Sequence, residues 1–188
     1  DHCPTGSIGW ISNSTNDHDS DGCHDSIEDL DDDNDSVPDI TDACPTTPMQ
    51  GDQPWTSDSS TDHDSDGCQD SSTEDIDDDN DTISDSSDLC QKGDIGWVSD
   101  ASTDHDSDGC QDISEDLDDD NDRICDANEI SSYWTCTFSL AGADLCPTST
   151  VGFVSYIGND VDRDGCEDAG EDVDDDNDGA SDQIDDCP

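Results

Sequence analysis

The sequence predicts a mostly irregular, ion-cored array of repeats laced by disulfides, with a few short strands and no substantial helix. Three observations carry that prediction. Acidic residues recur at fixed spacing, as a pair of twelve-residue loops repeated four times. The chain has 11 cysteines, most of them at matching places in those copies. Hydrophobic residues are only 27% of the 188 residues and aromatics 4%, too few for a core of ordinary size. A formal charge of −53 on so little apolar content is the composition of a disordered acidic tail. Such a tail has no use for periodic acids or for cysteines, so metal ions and disulfides are the candidates for holding the fold.

The pattern is plainest at 17–45, DHDSDGCHDSIEDLDDDNDSVPDITDACP. Asp17, Asp19, Asp21, Asp25 and Glu28 occupy positions 1, 3, 5, 9 and 12 of a first loop, and Asp31, Asp33, Asp35, Asp39 and Asp42 the same positions of a second. That is the oxygen-ligand spacing of a calcium loop, in which position 7, here Cys23 and Val37, gives a backbone carbonyl. These loops belong to repeat 1, residues 1–45. Repeat 2, 46–90, has Asp62, Asp64, Asp66, Cys68 and Asp70, then Asp77, Asp79, Asp81, Ile83, Asp85 and Asp88. Thr73 falls at position 12 of its first loop because one extra residue pushes Glu74 and Asp75 along. Repeat 3, 91–147, has Asp104, Asp106, Asp108, Cys110, Asp112 and Glu115, then Asp118, Asp120, Asp122, Ile124, Asp126 and Glu129. An insertion, about 130–143, follows within the segment ISSYWTCTFSLAGAD. Repeat 4, 148–188, has Asp160, Asp162, Asp164, Cys166, Asp168 and Glu171, then Asp174, Asp176, Asp178, Ala180, Asp182 and Asp185. Asp29, Asp75, Asp116 and Asp172 stand between paired loops; with Glu28 and Asp32, Asp29 is placed to bridge two ions.

Five carboxylates converging on one loop repel each other. At ~5 Å and an effective dielectric of about 20, each pair costs about 3 kcal/mol. A hard dication with six to eight oxygen ligands resolves this, and calcium suits a flexible, many-carboxylate site better than magnesium. The expected cofactor is therefore Ca²⁺, at least eight ions per chain, one for each loop. Glycine at position 6 (Gly22, Gly67, Gly109, Gly165) suits the sharp turn of the first loops. The second loops carry Ser36, Thr82 and Arg123 there, with glycine only at Gly179. Those three side chains resist a left-handed backbone, which predicts that the second loops bind differently or share ligands. Only two residues, such as Asp29-Leu30, separate paired loops, so flanking helices are excluded and the chain must wind directly around a row of ions.

The segment from Asp29-Leu30-Asp31-Asp32-Asp33-Asn34-Asp35 to Cys44-Pro45 closely matches the longer motif of thrombospondin type 3 repeats, which all four repeats resemble outside the tryptophan segments and the insertion. The resemblance implies a calcium-cored wire with little regular secondary structure. It also implies disulfides Cys3–Cys23, Cys44–Cys68, Cys90–Cys110 and Cys146–Cys166, leaving Cys187 for a continuation. The inner cysteine here directly follows the loop glycine, earlier than in the family. A register beginning Cys23–Cys44 therefore stays open. Cys125 and Cys136 match nothing in the other repeats and are expected to pair, pinning the insertion as a flap or hairpin.

Trp10, Trp55, Trp97 and Phe153 each precede a first loop and lie next to a β-branched residue, a pattern read as short strands or a small apolar plug. Tyr133, Trp134 and Phe138 make the insertion a candidate interaction surface in so polar a chain. Asn13-Ser14-Thr15 is a glycosylation sequon in an expected exposed loop, and the Ser/Thr clusters at 57–61 and 99–103 suit O-linked sugars. No CxxC pair favours zinc, and His18, His63 and His105 hold position 2, where loop side chains usually point outward. The paired carboxylates do not suggest a glycosidase, because a calcium-bound acid is held ionised. Three basic residues exclude nucleic acid as a partner. No apolar run is long enough to span a membrane.

The expected function is that of an extracellular calcium-binding structural protein, not an enzyme: a calcium-stiffened rod belonging to a longer array or fibre. Asp1-His2-Cys3-Pro4 repeats the ending Asp186-Cys187-Pro188, which points to head-to-tail self-association or to continuation into further repeats, with the sequence a mature product or a window of a longer one. The alternatives are a calcium-dependent adhesion module, using the tryptophan segments and the insertion to hold a protein or glycan, and an acidic calcium buffer or mineral-organising protein.

Overall fold

Aspartate, serine, asparagine and glycine favour turns over ladders, because their short side chains bond the nearby backbone. A computed structural model of the chain describes residues 2–47, 55–126, 136–137 and 142–186. Among these residues there is no helix and no strand, only turns, bends and one isolated parallel bridge between Ile124 and Thr137. The short strands expected at the tryptophan segments do not form. Glu129, Tyr133, Trp134, Phe138 and Cys187 lie outside the described residues, as does most of the insertion.

The repeating structural unit is the loop itself. In all eight loops the N–H of position 9 closes back on the carbonyl just before position 1, as from Asp25 to Asn16 at 3.2 Å and from Asp126 to Leu117 at 2.9 Å. The position 9 carboxylate then accepts the N–H of position 2, as from His18 to Asp25 and from Asp32 to Asp39. Position 7 donates to the carboxylate of position 5 at 2.6–3.0 Å throughout, for example Val37 to Asp35 and Cys110 to Asp108. Each loop is thus folded by its own aspartates acting as backbone acceptors.

Positions 4 and 6 are left-handed in every loop. Ser36, Thr82 and Arg123 have φ of 87°, 86° and 84°, against 93° at Gly22 and 95° at Gly179. The expected difference between first and second loops is therefore absent from the backbone: the three resistant side chains adopt the turn anyway. Glycine is kept in the first loops for a second reason. A Cβ at Gly67, Gly109 or Gly165 would overlap the carboxylate of Asp42, Asp88 or Asp144 respectively, whereas nothing lies within 4 Å of that place at Gly179. Ser36 is exposed, so Ser36→Gly relieves the left-handed cost without losing a contact. A gain of about 1 kcal/mol is expected, read as a raised thermal midpoint.

The buried residues invert the usual order. The largest fully buried side chains are Asp17, Asp33, Asp35, Asp62, Asp79, Asp81, Asp104, Asp120, Asp122 and Asp160, together with Cys110, while Ile8, Ile40 and Leu30 are 97%, 92% and 78% exposed. Among the described residues, apolar burial is confined to the disulfides, Ile124, Trp55 and Phe153. Five disulfides close short loops: Cys3–Cys23, Cys44–Cys68, Cys90–Cys110, Cys125–Cys136 and Cys146–Cys166. This is the pairing that the resemblance implies, together with the Cys125–Cys136 pair; the alternative register does not occur. Loops of about 20 residues gain about 3 kcal/mol each from such a link.

Two compact units divide the chain. The first comprises Asp1–Asn80 and Ser84–Ser86, and the second Asp81–Ile83 and Ser87–Pro188. Within the first, the residue before a Cys-Pro cysteine donates to a position 5 carbonyl: His2 to Asp21 at 2.8 Å and Ala43 to Asp66 at 2.7 Å. Within the second, Leu145 before Cys146-Pro147 does the same to Asp164, and Leu89, before Cys90-Gln91, to Asp108, each at 2.8 Å.

Candidate metal centres

Each loop gathers its carboxylates to one side of the turn that they fold. Carboxylate oxygens of Asp17, Asp19 and Asp21, of Asp31, Asp33 and Asp35, and of Asp62, Asp64 and Asp66 lie within 4.8 Å of one another. Two oxygens bound to one calcium at 2.3–2.6 Å are at most about 5 Å apart, so these groups have the right size. The backbone bonds leave one oxygen over. Oδ1 of Asp35 takes the Val37 N–H and Oδ1 of Asp122 takes the Ile124 N–H, each at 2.6 Å, while Oδ2 of both is buried without a partner. The same division recurs at Asp42, Asp116 and Asp144. A buried carboxylate oxygen with no donor is costly, and its recurrence on equivalent atoms sets out oxygens that could hold a cation.

The residues between the loops join this system. Asp29 uses Oδ1 for the N–H groups of Leu30 and Asp31 and keeps Oδ2 buried and unpartnered; Asp75 and Asp172 are arranged alike. Asp25, Asp29 and Asp32 form a further oxygen cluster. Asp32 stands at position 2, where the twelve-residue pattern assigns no ligand; it joins Asp29 as the bridging role expected of it requires, whereas its counterpart Asp175 was not singled out. Another grouping, Asp21, Cys23 and Asp29, is less than it looks: the Cys23 sulfur is bound to Cys3, which leaves two carboxylates.

A clamp missed in the sequence holds the paired loops together. The side-chain amide of Asn34 donates to Asp19, Asn80 to Asp64, Asn121 to Asp106 and Asn177 to Asp162. Each asparagine sits at position 4 of a second loop with φ of 52–57°, a conformation asparagine tolerates. The invariant N of the four D-D-D-N-D stretches was the available signal. The histidines also depart from expectation. His18 and His105 turn back to the carbonyls of Thr47 and Ser149, at 3.1 and 3.0 Å, instead of pointing outward.

The expected position 12 ligands divide by repeat. Glu28 accepts the Ser7 N–H at 2.7 Å and keeps Oε1 buried; Glu115 accepts the Asp94 N–H at 2.6 Å; Glu171 is exposed. In repeat 2 Asp75 takes the place of Asp29, so the extra residue is absorbed before it. In repeat 3 the place held by Asp42 and Asp88 is filled by Asp144, which was not read as a ligand. Its N–H bonds the Cys125 carbonyl at 2.9 Å, as Asp42 bonds Pro38 at 3.1 Å, and its Oδ1 takes the Cys146 N–H at 2.6 Å. The Asp-x-Cys sequence shared by Asp42, Asp88 and Asp144 was the overlooked signal.

Burial of like charges raises many of these carboxyls. Asp118 and Asp144 are pushed to about 8, by burial first and then by neighbouring aspartates. Asp32 and Asp42 reach about 7, as do Asp106, Asp116 and Asp122, again with burial as the leading cause. Asp119, against Asp126, is raised as well. The last loop is different: Asp176 and Asp178 are exposed, while Asp33, Asp35, Asp120 and Asp122 are at most 2% exposed. Those four are covered by residues after the Cys-Pro step, with Thr47 donating to Asp33 at 2.6 Å and Ser149 to Asp120 at 2.7 Å.

No protein-family model matches the chain, and no curated protein is similar enough to count as a relative. Among the described residues no helix is long and apolar enough to cross a membrane. The donor set therefore speaks for itself. It is almost purely carboxylate and carbonyl oxygen, which suits a hard dication such as calcium and not a thiophilic metal.

Proposed function

We propose that this chain is an extracellular calcium-binding structural repeat protein, whose loops are stiffened by rows of Ca²⁺ and which serves as part of a longer array or fibre. The observation that carries the reading is the set of buried, unpartnered aspartate oxygens on equivalent atoms of successive repeats, Oδ2 of Asp29, Asp75, Asp116 and Asp172. Fifty-six acidic residues against three basic ones leave cations from solution as the partner for those oxygens. The five disulfides fit an oxidising compartment. The resemblance to thrombospondin type 3 repeats supports the same reading, since in both a D-x-D-D-D-N-D stretch is followed by a Cys-Pro step.

The test is a count of bound metal. The oxidised chain is brought to equilibrium by dialysis against millimolar calcium, and the metal on the protein side is measured in excess of that in the dialysate. At least about eight calcium ions per chain are expected at saturation, with fewer magnesium ions retained under the same treatment. A chain that retains no calcium at saturation rules the reading out.

A further inference from the structure

We propose that the serine two places after the aromatic residue, at Ser57, Ser99 and Ser155, couples the cation sites of successive repeats. The inference rests on the calcium reading and adds a positioning residue to it. Ser57 donates its N–H to the carbonyl of Asp35 at 2.9 Å and its Oγ–H to Oδ2 of Asp62 at 2.5 Å. Ser99 joins Asp81 to Asp104 at 2.8 and 2.6 Å, and Ser155 joins Asp122 to Asp160 at 3.0 and 2.5 Å. In each case the carbonyl belongs to position 5 of the preceding second loop, and the carboxylate to position 1 of the following first loop. Both aspartates are at most 1% exposed. One residue thus bonds the backbone of one candidate ion site and a ligand of the next.

Repeat 1 supplies the contrast. Ser12 follows Trp10 at the same spacing but is exposed. Asp17, its expected acceptor, is fully buried, and its Oδ2 has no hydrogen-bond partner. The serine hydroxyl meets the carboxylate only where the serine N–H is held by a preceding second loop. Trp55 and Phe153 are buried two residues before Ser57 and Ser155, and Trp97 is half-buried before Ser99.

The physical consequence is directional. A cation drawn into the second loop orders the position 5 peptide, which fixes the serine, which in turn holds the next position 1 carboxylate with one oxygen committed and the other turned to the loop. The second site is then filled with less ordering left to do, which is positive cooperativity.

Calcium titration of the full oxidised chain by calorimetry tests this, with Ser57→Ala, Ser57→Thr and Ser12→Ala beside the wild type. Ser57→Ala is expected to weaken a subset of sites by about tenfold and to flatten the isotherm, since a hydrogen bond to a charged group is lost. Ser57→Thr keeps the hydroxyl and is expected to restore the wild-type slope. Ser12→Ala is expected to overlay the wild type. An unchanged slope in Ser57→Ala, or an equal loss in Ser12→Ala, overturns the proposal while leaving calcium binding intact. A wild-type chain that gives no calcium isotherm overturns the calcium reading itself.

Discussion

Stripping divalent cations from the oxidised chain at pH 8 is expected to swell it and to expose Trp55, and returning calcium to reverse both changes. The reason lies in what is buried. A conventional domain keeps its apolar core when a metal is removed; here the fully buried side chains are aspartates, and removing the cation leaves their charges facing one another. Acidification should offset the loss. Asp118 and Asp144 are pushed to about 8, and Asp42, Asp116 and Asp122 to about 7, all above the unfolded value of about 3.9. Between those limits the folded, ion-free chain binds more protons than the unfolded one. Its stability is therefore fully present below pH about 4 and is lost as pH rises through 7 to 8. Calcium and protons compete for the same oxygens, so calcium affinity should fall as pH drops from 8 to 6, and calcium added to a weakly buffered sample at pH 7 should release protons. Hydrodynamic radius and tryptophan fluorescence measure the swelling, and a pH electrode measures the release. A chain that keeps its compact radius in excess chelator at pH 8 is not held by cations.

What the sequence reveals about this molecule follows from how local each interaction is. Loop register was legible because acids at positions 1, 3, 5 and 9 bond backbone groups within the same loop, so spacing records geometry directly. The Cys125–Cys136 pair was legible because both cysteines lack counterparts. The left-handed turn at Ser36, Thr82 and Arg123 ran against propensity: the hydrogen bonds that close each loop, such as those of Asp39 to Leu30, Asp32 to Asp39 and Val37 to Asp35, outweigh a cost of about 1 kcal/mol at position 6. The asparagine clamps join residues 15–16 positions apart and the Ser57 N–H bonds a carbonyl 22 positions before it, and no periodic rule within one loop can show them. Strands were expected from Trp10, Trp55 and Trp97 because β-branched neighbours favour extension. In the fold Ser57 and Ser99, two residues after Trp55 and Trp97, are bonded to aspartates while Ser12 is exposed, and among the described residues none of these segments forms a ladder.

Asp144→Asn should cost the chain one of its ions, and Glu129→Gln should not. By spacing, Glu129 is the twelfth residue of the second loop in repeat 3. By geometry, that place belongs to Asp144, which the insertion has carried fifteen residues downstream. The Asp144 N–H lies on the Cys125 carbonyl, the position 8 contact that Asp185 makes with Ser181 at 3.0 Å in repeat 4. The Cys125–Cys136 disulfide and the Thr137 N–H on the Arg123 carbonyl, at 2.7 Å, hold residues 136–137 beside the same loop. Asparagine fills the volume of Asp144 and still accepts the Cys146 N–H, so folding around that bond is retained. It also puts an amide donor where Oδ2 now lies buried without a partner, which turns an attraction for a cation into a repulsion. A loss of about tenfold or more in affinity at that site is expected, with about one ion fewer per chain at limiting calcium. If Glu129→Gln lost the ion and Asp144→Asn kept it, the loop would close through the inserted segment, and the match of Asp144 to Asp42 and Asp88 would concern chain path alone.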